Sequence, residues 1–113
     1  MWTSILARRD RMSLDNGMCL RLLSALEVLE ARREAEELST QDRERALCSN
    51  ACLLARALET QEGQPVFSGG REVLAGLRVE EIAAMASAWN QFNREENPPL
   101  TMRQKQAEDV KKN

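Results

Sequence analysis

Apolar residues recur at steps of three and four along most of this chain, and the breaks between those runs fall at glycine and proline. Leu14, Met18, Leu22, Ala25, Leu26 and Leu29 share such spacing, which predicts a leading helix over residues 14–38. Its opposite face carries Arg21, Glu27, Glu30, Arg32, Arg33, Glu34, Glu36 and Glu37, charges that alternate in sign as on a solvated, salt-bridged surface. Ser39-Thr40-Gln41-Asp42 has the look of a helix start, with an acid in the first turn where the helix dipole favours it. A second helix follows, with the stripe Ala46, Leu47, Ala51, Leu54 and Leu58 widened by Cys48, Cys52 and Leu53, and Gly63 is placed to end it. Two long helices joined by so short a turn should lie antiparallel, brought close by the small residues Ala46, Ala51, Ala55 and Ala57.

Gln64-Pro65-Val66-Phe67 reads as an extended connector whose Val-Phe pair plugs the end of the helical pair. Ser68 is the expected cap of a short helix through Ala75, closed by Gly76, with Leu77 turned inward. A last helix from Val79 aligns Ile82, Met85, Ala86, Trp89 and Phe92 on one face, carries Glu80 and Glu81 in its positive first turn, and stops before Pro98. The expected fold class is all-α: two long antiparallel helices, a short helix and a C-terminal amphipathic helix. The expected organisation is a partly ordered N-terminal segment (1–12) holding Trp2, Ile5 and Leu6, one helical domain (13–99), and a flexible tail (100–113) in which Met102 and Val110 are too few to offset ordering entropy.

Size and charge narrow the functional classes. At 113 residues the chain forms one small core. A formal charge of -2, from 16 basic and 18 acidic side chains spread along the sequence, provides no broad positive field, so no nucleic-acid partner is expected. No apolar run approaches the ~18 residues of a membrane span, and no hydrophobic block follows Met1-Trp2-Thr3-Ser4, so neither membrane nor secretion is expected and the chain reads as cytoplasmic. Cys19, Cys48 and Cys52 are expected as free thiols in a reducing compartment. Histidine is absent, which removes the commonest general base and the commonest zinc ligand; no enzyme, catalytic residue, metal or cofactor is expected.

The constellations that remain are weak. Cys48 and Cys52 stand one helical turn apart, as two metal ligands would, yet both lie in the apolar stripe where cysteine packs as a small hydrophobe. Glu80-Glu81 and Glu95-Glu96 are adjacent pairs that a helix points about 100° apart, which suits helix ends better than acid-base work at one bond. Ser68-Gly69-Gly70-Arg71 opens a helix as an anion cradle does, but lacks the lysine and spacing of a nucleotide loop. Val73 to Trp89 spaces two helices about Gly76 as a DNA-reading pair would, although the reader helix would lead with Glu80 and Glu81 towards phosphate. Trp89 and Phe92 serve either as core anchors or as a partner-facing patch, and the sequence leaves both open.

One longer pattern carries a resemblance. Asn50-Ala51-Cys52-Leu53-Leu54-Ala55-Arg56-Ala57-Leu58, then Pro65-Val66-Phe67, Glu72-Val73-Leu74, Leu77-Arg78-Val79-Glu80-Glu81-Ile82, Trp89 and Phe92-Asn93-Arg94-Glu95-Glu96-Asn97-Pro98 resemble the small tail assembly chaperones of long-tailed phages and prophages of Gram-positive bacteria. The likeness runs over residues 13–99 and departs at Arg78, where a serine or threonine cap is usual. It implies a non-enzymatic, all-helical virion morphogenesis protein in the host cytoplasm that binds helical segments of the tape measure protein and keeps their apolar faces covered. By position Leu47, Leu54, Leu58, Trp89 and Phe92 are the candidates for core or partner contact, and exposed stripe residues allow a homo-oligomer. The alternative is a small helical DNA-binding regulator or an adaptor protein.

Overall fold

Asp15-Asn16-Gly17 turns the chain back on itself, and the strand pair it closes replaces the start of the predicted leading helix. The computed structural model describes residues 10–96; the expectations placed on residues 1–9 and 97–113, including Trp2, Ile5, Leu6, Met102 and Val110, lie outside these. The elements in chain order are β1 (Arg11–Ser13), β2 (Cys19–Arg21), α1 (Ala25–Leu38), a single 3-10 turn (Asp42–Glu44), α2 (Arg45–Ala57), β3 (Leu58–Glu59), α3 (Gly70–Gly76) and α4 (Val79–Glu96). The architecture is mixed α/β, four helices with a three-stranded antiparallel sheet ordered β1-β2-β3, which corrects the all-α expectation.

The physical reason is local. The Leu14 N–H donates to the Met18 carbonyl (2.8 Å) and the Gly17 N–H to the Leu14 carbonyl (3.2 Å), while Asn16 Oδ1 accepts from the Met18 N–H (3.0 Å). Gly17 sits at φ +84°, which an L side chain adopts only with strain. Asn-Gly between alternating residues is a strong short-range hairpin signal, and it outweighs the helical spacing of Leu14, Met18 and Leu22. The same turn recurs after β3: the Thr60 N–H donates to the Gln64 carbonyl, the Gly63 N–H to the Thr60 carbonyl, and Gly63 sits at φ +86°. The second helix accordingly ends at Ala57, short of the expected Gly63, because Leu58 leaves the helix to pair with Leu20 in the sheet.

Met12 faces Leu20 and Leu20 faces Leu58, so the inner side of the sheet is apolar, and Leu20 and Leu58 are fully buried. Arg11 and Arg21 also stand opposite each other, a like-charge pairing that would oppose the sheet. Glu59 resolves it, with one carboxylate oxygen 3.5 Å from Arg11 Nε and the other 3.4 Å from Arg21 Nε. Arg21 then reaches Glu27, whose carboxylate also accepts from the Ser24 N–H (2.9 Å) while Ser24 Oγ accepts from the Glu27 N–H (3.1 Å). This capping box starts α1 at Ala25 and ties the helix to the sheet.

Helices α1 and α2 pack through the small side chains Ala31, Ala35, Cys48 and Cys52; of the small residues expected at this contact, Ala51, Ala55 and Ala57 belong instead to the cluster under α3, α4 and the sheet, and Ala46 is exposed. A second apolar cluster joins Leu20, Leu54, Leu58, Val73, Ile82 and Trp89 under α3, α4 and the sheet. The Trp89 indole N–H donates to the Arg21 carbonyl at 2.8 Å, so a side chain of α4 is anchored on the middle strand. Helix α4 begins at Val79 as predicted; in place of a serine cap, the Arg78 N–H donates to Glu81 Oε1 at 2.9 Å. The short helix starts at Gly70 behind Gly69 rather than at a Ser68 cap. Among the described residues, no helix is long and apolar enough to cross a membrane.

Candidate functional site

Helix α4 alternates bulk with small polar positions. Its bulky side, Ile82, Ala86, Trp89 and Phe92, is buried, while Ala83, Ser87, Asn90 and Arg94 recur one turn apart beside it. These smaller residues do not fill the angle between α4 and α2, and a groove results. One depression, about 400 Å³, is lined by Asn50 of α2 and by Ala83, Ala86, Ser87, Asn90, Asn93 and Arg94 of α4. A second, about 270 Å³, continues onto α1 and is lined by Val28, Ala31, Arg32, Ser49, Asn50, Leu53, Trp89, Asn90 and Asn93. The two share Asn50, Asn90 and Asn93, so three carboxamides stand where they meet.

The lining has a distinct charge. It includes Arg32 and Arg94 and no carboxylate, whereas other depressions on the described surface include Glu36 and Asp42, Glu95, or Glu72. Neither arginine takes part in an ion pair among the described residues; the paired arginines are Arg11, Arg21, Arg45, Arg56 and Arg78. Among the described residues the salt bridges of α1 leave the helix for other elements, Glu27 to Arg21 and Glu34 to Arg56, instead of running along its charged face. Leu29, 46% exposed, lies one turn before Arg32, and Leu26, 60% exposed, one turn before Leu29. The groove lining therefore offers a few apolar side chains (Val28, Leu53 and Ala83), amides that both donate and accept, and two unpaired cations.

Of the residues singled out in the sequence, Leu54, Leu58 and Phe92 are interior, Leu47 is half-buried at the margin of the core, and Trp89 is 4% exposed with its edge in the groove lining. Asn50, Asn90, Asn93, Arg32 and Arg94 are not among the contact candidates that the sequence offers, although Asn50, Asn93 and Arg94 fall in the segments that carry the resemblance. The available signal was the small-polar stripe at helical spacing beside the apolar face of α4, which marks a helix side that is neither core nor charged.

The remaining constellations resolve into structure. All three cysteines are free and buried, and no group of three or more His, Cys, Asp or Glu side chains among the described residues is placed to hold a metal. Burial first, and then the adjacent Glu34 carboxylate, push the Cys52 thiol up to about 12, so it stays protonated. The start of the short helix is taken by an internal anion: Glu34 Oε2 accepts from the Gly70 N–H at 2.8 Å, and Glu34 Oε1 from Arg56 Nη1 at 2.7 Å. Burial pushes the Glu34 carboxyl upward, but Arg56 and the Gly70 amide together hold it below the ordinary range. Glu80 and Glu81 are exposed in the first turn of α4, where a DNA-reading helix would meet phosphate.

No family model matches the chain, and neither a curated protein nor a solved structure shows significant similarity to it.

Proposed function

We propose that this chain is a non-catalytic binding protein for a helical segment of another polypeptide, and specifically a phage tail assembly chaperone that covers helices of the tape measure protein. The observation that carries the reading is the groove along α4, walled by three helices and lined on its apolar side by Val28, Leu53 and Ala83. An amphipathic helix laid in such a groove buries its apolar stripe without needing backbone partners from the host. The residues that resemble the tail chaperones, Asn50 to Leu58, Glu72 to Leu74, Leu77 to Ile82, Trp89 and the segment from Phe92, fall on or beside α2, α3 and α4 and include Asn50, Leu53, Trp89, Asn93 and Arg94 of the lining. The lining supplies amides, hydroxyls and guanidinium groups, a set suited to holding a surface rather than to acid-base or nucleophilic chemistry. The protein acts in the host cytoplasm, where the tape measure helices are synthesised.

The test is co-expression with a candidate tape measure protein. The soluble fraction of that protein should rise several-fold when this chain is present, and the two should co-purify. Equal solubility with and without the chain overturns the proposal.

A further inference from the structure

We infer that the groove selects an acidic helix: its occupant presents apolar side chains to Val28, Leu53 and Ala83 and carboxylates to Arg32 of α1 and Arg94 of α4. The inference rests on the helix-binding reading above and adds the chemistry of the partner. Charge is the first argument. In a chain with 18 acidic side chains the groove lining contains none, and both of its cations are among the arginines that no salt bridge among the described residues engages. A carboxylate arriving there meets a guanidinium without displacing a salt bridge, and a lysine meets only like charge.

Backbone chemistry is the second argument. All three walls are helices whose peptide groups are already bonded, so an extended segment would bring unsatisfied N–H and C=O groups that the carboxamides of Asn50, Asn90 and Asn93 are too few to meet. A helix carries its backbone bonds with it. From Ala83 to Arg94 the groove follows about 17 Å of helix axis, room for a contact of about three turns.

The test uses the full chain and a stapled amphipathic peptide of about three turns, with leucine and alanine on one face and glutamates flanking it. Peptides with glutamine or lysine at the flanking positions serve as comparisons, and binding is read by fluorescence anisotropy at two salt concentrations. The Glu peptide should bind about tenfold tighter than the Gln peptide and lose most of that advantage at high salt. Arg32→Glu with Arg94→Glu should weaken the Glu peptide about tenfold and strengthen the Lys peptide. Both arginines are exposed and unpaired, so this variant should melt with the wild type. Asn90→Trp, which fills the junction, should block all three peptides. No binding of the Glu peptide, equal binding of the Glu and Gln peptides, or indifference to the charge reversal overturns the inference. Acid-selective peptide binding with no gain in tape measure solubility would leave the groove assignment standing and sink the chaperone reading. Tape measure solubility sustained by the charge-reversed chain would do the opposite.

Discussion

Replacing Gly70 by alanine tests how closely α1, α2 and α3 are drawn together. An added Cβ lies inside van der Waals contact with Cys52 Sγ, 3.3 Å from Cys52 Cα and 3.2 Å from Leu38 Cδ1. Leu38 can rotate, but the backbone of α2 cannot yield without disturbing the core behind Leu54, so α3 must move outward. Overpacking of this kind costs about 1–3 kcal/mol. The displacement also stretches the 2.8 Å bond from the Gly70 amide to Glu34, adding about 1 kcal/mol for a weakened bond to a half-buried carboxylate. Against this, alanine in the first turn of a helix stabilises by about 0.5–1 kcal/mol. The net expectation is a loss of about 2–3 kcal/mol, a fall in Tm of about 10–20 °C for a domain of this size. Thermal melts followed by circular dichroism measure it, and a double-mutant cycle with Cys52→Ala should recover part of the loss because the nearest clash is with the sulfur. A Gly70→Ala variant melting within about 3 °C of the wild type would refute the close approach.

Gly17→Ala separates the hairpin from the helix that periodicity predicts: at φ +84° it should cost about 1–2 kcal/mol by chemical denaturation, whereas in a continuous helix alanine would stabilise. Glu27 is held at about 2, first by its hydrogen bond with Arg21, so its contribution is fully present above pH ~4.5, falls as pH drops through about 2, and disappears in Glu27→Gln; for a pair this near the surface the effect should be about 1–2 kcal/mol in pH-dependent melts. Trp89→Phe leaves the Arg21 carbonyl without its donor and shortens a buried ring, for a loss of about 2 kcal/mol by urea unfolding. The native protein should react with a thiol reagent far more slowly than the unfolded chain at all three cysteines, since each is buried and Cys52 is pushed up to about 12.

The helices were legible where apolar spacing continued unbroken, and α4 begins at Val79 as read; the α1–α2 contact was misplaced, since it uses Ala31, Ala35, Cys48 and Cys52 rather than Ala46, Ala51, Ala55 and Ala57. The sheet was not, because Leu14, Met18 and Leu22 satisfy a helical spacing while Asp15-Asn16-Gly17 between them specifies a turn, and positive φ at Gly17 is decided by backbone sterics that hydropathy does not see. Leu58 illustrates the same conflict: it continues the α2 stripe, yet its pairing with Leu20 draws the chain out of the helix after Ala57. Ser24-x-x-Glu27 is a capping box visible in the sequence, and it marks the true start of α1. The groove was the least legible part. Sequence reasoning sought function in the largest apolar residues, most of which the fold uses for its core, whereas the proposed binding surface lies in the smaller residues beside them.

Occupation of the groove can be read directly by site-specific photocrosslinking in cells that co-express the tape measure protein. A benzophenone side chain at Asn90, at the junction of the two depressions, should capture the tape measure protein in a covalent band identified by mass spectrometry, and the same group at exposed Glu62, beyond β3, should not. Capture at Glu62 with none at Asn90 would contradict the account.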